Sequence, residues 1–280
     1  MSTIAVIGSV NLDLVATVKK LPEPGETVTD AELSRFPGGK GANQALAAQR
    51  LGSDAKLIAC VGDDAAAVEA QILLLEGGVD LSGVQSVADL PTGIAMIAVA
   101  PSGENHIVVA PGANRALTPD VLSVPVADAL ICQLEVPVDT VAAAARSFDG
   151  FLCVNLAPAM HVDVEILQRA DLIIVNEVEA GWYGDSLSAA SGMIATTVGA
   201  AGATITKNGE DIAFAKPPRI EAVDTTATGD TFTAALTVAL VEGQEPQQAL
   251  EFACAAGAAA CTKLGAQPSL PTRDEVMGLI

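Results

Sequence analysis

The chain has 280 residues, 50% of them hydrophobic and 17% charged, enough apolar material to fill a sizeable core and to exclude disorder as its main state. Lys and Arg number 14 against 34 Asp and Glu, a formal net charge of −20. That balance excludes sequence-independent nucleic-acid binding and docking on an anionic membrane, both of which need clustered basic residues, but it leaves room for an anionic small substrate held by a few local cations and N–H groups.

In chain order, the opening MSTIAVIGSVNLD has no basic n-region and no cleavage pattern, and reads as a strand at 4–7. Helices at 42–51, 65–76, 138–147, 231–241 and 246–264 alternate with strands at 57–61, 129–132, 151–155, 172–175 and 203–206. The strands are apolar almost throughout, as parallel strands covered on both faces should be. This order predicts one α/β domain over 1–280, an open and mostly parallel sheet flanked by helices, with sites at the carboxyl ends of its strands. Residues 14–35 and 92–109 break the rhythm. They alternate without an intervening helix, and the second folds about Pro101-Ser102-Gly103-Glu104. They predict a small antiparallel β lid. The uncharged stretch 186–206 is long enough to span a bilayer, but Ser, Thr, Gly and Ala dominate it. The five cysteines, Cys60, Cys132, Cys153, Cys254 and Cys261, form no C-x-x-C pair and read as reduced, buried thiols of a cytoplasmic protein.

Three stretches carry chemistry. Gly8-Ser9-Val10-Asn11-Leu12-Asp13 is not a G-x-G-x-x-G turn, so a dinucleotide reading is weak. Asn11 and Asp13 have the alternate spacing that points both side chains to one side, where an amide and a carboxylate suit neighbouring hydroxyls; an Asx turn explains them equally well. Phe36-Pro37-Gly38-Gly39-Lys40-Gly41-Ala42-Asn43-Gln44 opens a helix, with glycines for close backbone approach and Lys40 and Asn43 as donors beside the helix N-terminus. Asp224-Thr225-Thr226-Ala227-Thr228-Gly229-Asp230-Thr231-Phe232 opens another. Ala227, Thr228 and Gly229 can present successive N–H groups as an anion hole, and Asp230 is placed to take a proton from an attacking hydroxyl.

Together these stretches resemble the two signatures of the PfkB carbohydrate kinase family, the ribokinase branch most closely. Gly62-Asp63-Asp64, Gly112-Ala113-Asn114, Gln133-Leu134-Glu135, Asn155-Leu156-Ala157-Pro158-Ala159, Asn176-Glu177-Val178-Glu179 and Gly265-Ala266-Gln267-Pro268-Ser269 extend the resemblance over the whole chain. The resemblance implies a ribokinase-like fold and ATP-dependent phosphorylation of D-ribose at its 5-hydroxyl, with a related sugar or a nucleoside as the alternative acceptor. By it, Asp230 is the catalytic base; Asn11, Asp13, Gly39, Lys40, Asn43 and Glu135 hold the sugar; Asn176 and Glu179 place Mg²⁺ and phosphate. It also implies a monovalent cation, K⁺, held by Asp224, Thr226, Ala260, Lys263, Gly265 and Ser269, mostly through carbonyls, and a homodimer formed through the lid. The family's T-L-G-x-x-G nucleotide stretch is expected at Thr206-Lys207-Asn208-Gly209-Glu210-Asp211, where Asn208 and Asp211 replace both glycines; Cys254 is expected to face the adenine. That departure motivates a rival reading as a sugar-binding or regulatory protein without nucleotide binding.

Overall fold

A computed structural model describes residues 1–102 and 104–280, so Gly103, in the turn expected at 101–104, lies outside the described residues. The larger sheet has nine strands, in the order β13-β12-β11-β10-β9-β8-β1-β4-β5. These are β1 Thr3–Ile7, β4 Asp54–Gly62, β5 Asp80–Val87, β8 Ala129–Gln133, β9 Phe151–Asn155, β10 Leu172–Asn176, β11 Met193–Thr197, β12 Ala203–Lys207 and β13 Glu210–Ala215. All neighbours from β5 through β11 run parallel, while β12 and β13 turn back as an antiparallel edge. β5, β11 and β13 add to the expected strands. They are less apolar than the central ones, as their places toward the sheet's edges allow.

The continuous apolar runs follow from burial on both faces. In β1, Ile4 and Val6 enter one core, while Ala5 and Ile7 enter the other. β8 divides likewise, Ala129 and Ile131 against Leu130 and Cys132. One face is covered by α1 Lys40–Arg50, α2 Ala65–Glu76, α6 Thr228–Val241 and α7 Pro246–Ala260; the other by α3 Val138–Ser147 and α4 Val164–Arg169. Alanines dominate the buried side of α7, so α6 and α7 pack closely. α7 ends at Ala260, short of the expected 264. α5 Glu177–Tyr183, α8 Ala266–Ser269 and α9 Arg273–Met277 are short. Arg50 near the end of α1 donates to the carbonyls of Gln267 (3.0 Å) and Leu270 (2.6 Å), tying α8 against it.

A second sheet of four strands, ordered β3-β2-β6-β7, stands beside the first: β2 Asn11–Thr17, β3 Glu32–Gly38, β6 Gly93–Val99 and β7 Asn105–Ala110. Its outer pairs are antiparallel, and its central pair, β2 with β6, is parallel. β2 begins only four residues after β1 ends, so the lid is rooted on the main sheet. Its other root is tied by Asp64, whose carboxylate caps α2 and accepts from the N–H (2.9 Å) and hydroxyl (2.7 Å) of Thr92. Among the described residues, no helix is long and apolar enough to cross a membrane.

Candidate active site

The carboxyl ends of β1, β8, β9, β10 and β11 share one edge of the main sheet, and there the chemistry-bearing side chains gather. Asn11 and Asp13, both buried, leave the root of β2. Asn11 Oδ1 accepts from Asn114 Nδ2 (2.8 Å), and Asn114 Oδ1 accepts from the N–H of Val10 (2.9 Å), so a buried amide sets the asparagine's orientation. Gly39 caps α1 with φ +91°, a conformation that L side chains avoid; a Cβ there would stand 2.7 Å from the N atom of Asn11. The glycine therefore lets the start of α1 close on the start of β2, bringing Lys40 and Asn43 beside Asn11. Asn43 Oδ1 is buried without a hydrogen-bond partner among the described residues. Glu135, just past β8, accepts from the hydroxyl of Ser9 and from the N–H of Lys40 (3.2 Å).

This end of the site is acidic. Burial, with Glu135 and Asp230 adding, pushes the Asp13 carboxyl up to about 7. No side-chain or backbone donor among the described residues satisfies it. For Lys40, burial works to lower the pKa, but the surrounding Asp230, Glu135 and Glu179 outweigh it and hold the ammonium above the ordinary lysine value.

Asp230 lies in the first turn of α6 and is buried. The helix is capped by Ala227, so Asp230 is not its N-cap residue. Instead Oδ2 accepts from Asn43 Nδ2 (2.9 Å) and Oδ1 from Gln44 Nε2 (2.9 Å). Burial raises its pKa first of all; Lys40 and the two amide donors oppose the rise, and Glu135 adds to it. The residue before the helix, Ala227, is left-handed at φ 60°. Thr228 N–H donates to Thr225 O (3.3 Å) within the turn. The N–H groups of Ala227, Gly229 and Asp230 have no acceptor among the described residues, as expected at a helix start.

Beside that turn opens a cavity of about 570 Å³. Thr228, Gly229, Cys254, Phe232 and the small residues Gly257 and Ala258 form one wall, and Thr197, Gly199, Ala200 and Gly202 face them. The expected nucleotide stretch Thr206, Lys207, Asn208, Gly209 and Asp211 does not line it. β12 runs antiparallel, with Lys207 opposite Met193 and Ala203 opposite Thr197, so the Thr206–Asp211 turn falls at the amino ends of the parallel strands. The expectation is corrected: T-x-G-x-x-G spacing is met at Thr197-Val198-Gly199-Ala200-Ala201-Gly202, which joins β11 to β12 on the site edge. Gly202, at φ +117°, needs to be glycine, since a Cβ would stand 2.2 Å from the carbonyl O of Ala215.

Asn176 and Glu179 meet as a capping box on α5: each side chain accepts from the other's N–H, at 2.8 Å. Glu179 is raised by burial, against the pull of its Asn176 hydrogen bond and of Lys40. Asp224 accepts from Thr226 N–H (2.8 Å) and hydroxyl (2.6 Å), and from Gly265 N–H (2.9 Å), so it joins the loop before α6 to the loop after α7. Lys263 turns its ammonium away to Glu275 (2.8 Å), leaving its carbonyl with the loop that follows Ala260 and leads to Gly265 and Ser269. No group of three His, Cys, Asp or Glu able to hold a metal occurs among the described residues.

Four buried polar residues were quoted within motifs but given no role by sequence: Gln44, Asn114, Gln133 and Asn155. Their signal was burial beside a polar motif, which only the fold supplies.

A buried carboxylate beside a cluster of polar side chains and a cavity at a helix N-terminus is an arrangement suited to phosphoryl transfer to a hydroxyl. The chain belongs to the pfkB family of carbohydrate kinases, whose family model matches residues 1–273. It is 36% identical to a ribokinase of Haemophilus influenzae over 98% of this chain and 97% of that protein. Its fold is similar to a ribokinase of Thermotoga maritima, with TM-score 0.91, 33% identity and coverage of 100% and 99%. It is similar also to Arabidopsis thaliana ribokinase complexed with ribose and ATP, with TM-score 0.87, 28% identity and coverage of 99% and 98%.

Proposed function

We propose that the protein transfers the γ-phosphoryl group of ATP to the 5-hydroxyl of D-ribose. The observation that carries this reading is the place of Asp230, between the polar side chains of Asn11, Asp13, Lys40 and Asn43 and the unpaired N–H groups that open α6. The sugar is held by Asn11, Asp13, Gly39, Lys40, Asn43 and Glu135. Asn43 Oδ1, without a partner among the described residues, and the buried Asp13 carboxyl are acceptors for hydroxyl donors. Asp230 accepts the proton as the 5-oxygen attacks. Ala227, Thr228 and Gly229 form the anion hole: the N–H groups of Ala227 and Gly229 are open to charge developing on the transferred group, and that of Thr228 joins them on releasing its long bond to Thr225 O.

The base of the nucleotide occupies the apolar cavity against Cys254, and its phosphates point to Gly229. Asn176 and Glu179 would hold Mg²⁺ indirectly, which suits an ion that needs no all-protein cage, and the ion would supply charge neutralisation to the phosphates. Asp224, Thr226, Ala260, Lys263, Gly265 and Ser269 would hold K⁺. Asp224 bridging both loops supports this, because an ion bound there would help to order the turn that leads to the anion hole. The lid excludes water from the sugar. A second copy covers its exposed edge strand β7, where Ile107, Val108 and Val109 are all exposed.

A rival without nucleotide binding loses its motive, since Asn208 and Asp211 lie away from the cavity and both glycines of the T-x-G-x-x-G spacing are present. Two measurements test the reading. A panel of ribose, deoxyribose, hexoses and nucleosides, followed by ADP release, gives ribose the highest kcat/KM; another acceptor leading would replace the substrate assignment. Asp230→Asn keeps ribose binding by calorimetry and loses turnover by roughly 10²-fold or more; near-normal turnover refutes the base.

A further inference from the structure

We propose that an amide relay, from Gln133 through Gln44 to Asp230 with Asn155 as its anchor, is the positioning device that keeps a hydrogen-bond donor aimed at the Asp230 carboxylate. The inference rests on Asp230 being the base.

The relay's direction is dictated by a backbone group that cannot reverse. The carbonyl of Ile174 in β10 can only accept, and Asn155 Nδ2 donates to it (3.2 Å). Asn155 Oδ1 must then face the other way, where it meets Gln44 Nε2 (3.3 Å). The same Nε2 donates to Asp230 Oδ1 (2.9 Å). Gln44 Oε1 is thereby turned to the opposite side, and Gln133 Nε2 donates to it (2.7 Å). All three amides are buried, Gln44 and Gln133 fully. Gln133 Oε1 ends the relay without a partner among the described residues. Each amide sits at the carboxyl end of a strand or in α1, so β8, β9 and β10 together set the rotamer of one glutamine.

A reversed Gln44 would put Oε1, a lone-pair acceptor, against a buried carboxylate. Without water to compensate, that contact disfavours the ionised form. The other charges facing Asp230 are Lys40 from α1, which favours ionisation, and Glu135, which opposes it; Asp13 faces it from β2, its own carboxyl pushed up in part by Asp230. With burial and one acid set against one cation, the balance depends on the amide donors, Asn43 and Gln44.

The test is the pH dependence of kcat at saturating ribose and ATP, since kcat reports groups in the bound complex. Gln44→Met removes the donor with an apolar chain of similar length. It moves the acidic limb to higher pH and lowers kcat at neutral pH by roughly 10-fold or more. Gln133→Met, which does not touch Asp230, moves the limb in the same direction by less. The double variant matches Gln44→Met alone, because the second amide acts only through the first. An unmoved limb in both single variants, or additive effects in the double variant, overturns the relay. A Gln44→Met chain that fails to fold leaves the decision with the Gln133→Met limb. Asp230→Asn is the separate control: if it is inactive and the limbs do not move, the relay fails and the base stands, whereas an active Asp230→Asn removes the base itself.

Discussion

At the scale of the residue, the site is a cluster of acids in a protein already rich in them, and Asp13 shows the consequence most directly. In the unfolded chain it titrates near 3.8, and in the folded protein near 7. Between those values the folded protein keeps a proton that the unfolded chain releases, so this group favours folding least at the alkaline end, and its contribution falls as pH rises through about 7. A bound sugar reverses the preference, because hydroxyl donors favour the ionised carboxylate. Ribose binding below pH 7 therefore releases a proton, and affinity rises with pH until it levels above 7. Calorimetry in buffers of different ionisation enthalpy measures that release directly. Asp13→Asn removes the release, weakens ribose binding by roughly 10- to 100-fold, the worth of one charged hydrogen bond, and makes the sugar-free protein more stable above pH 7. A pH-independent affinity in the parent protein would contradict the assignment. Asp13, Lys40, Asn43 and Asp230 could be singled out by residue type beside glycine-rich turns. Gln44 and Gln133 could not, since a glutamine's role depends on which strand ends meet over it.

At the scale of the element, strand direction decided what spacing alone could not. The runs 4–7, 129–132, 151–155 and 172–175 were legible because both their faces are buried, which forces unbroken apolar sequence. β11, Met-Ile-Ala-Thr-Thr, is only partly buried at four of its five positions and sits in a run of small residues, so it gave no comparable signal. With β11 unseen, the next Thr followed by a glycine turn, at Thr206, stood in for the nucleotide loop. The turn of β12 to antiparallel then placed that candidate at the wrong edge. The corrected loop makes its own prediction. Gly202→Val cannot hold φ +117° and would drive Cβ into Ala215 O, displacing the 197–202 wall of the cavity. KM for ATP should rise by roughly 10-fold or more while calorimetric ribose affinity stays close to that of the parent. Asn208→Gly, in the β12–β13 turn, should leave both unchanged. Equal loss of sugar and nucleotide binding in Gly202→Val would mean that the loop supports the whole fold instead of the nucleotide end.

At the scale of the whole molecule, a charge of −20 sets repulsion against an anionic co-substrate, and in the proposed reading the fold meets it locally with helix N–H groups, Lys40 and bound cations. The lid adds a second whole-molecule property. Ile107→Lys, on the exposed strand β7, should give a monomeric mass by light scattering and a raised KM for ribose, since an unsupported lid closes less well; a monomeric parent at micromolar concentration would remove the premise. Salt separates the general effect of charge from the specific one. Raising ionic strength screens repulsion among exposed carboxylates whatever the cation, so the melting temperature should climb alike in potassium chloride and tetramethylammonium chloride. Turnover should not behave alike. An ion that joins the Asp224 loop to Lys263 and Gly265 must shed water and fit among carbonyl oxygens, which K⁺ can do and tetramethylammonium cannot. At matched ionic strength, kcat should rise several-fold in K⁺ alone, and Asp224→Asn should abolish that difference while keeping the salt-dependent rise in melting temperature. Equal turnover in the two salts would assign the whole effect to screening and leave the loop without an ion.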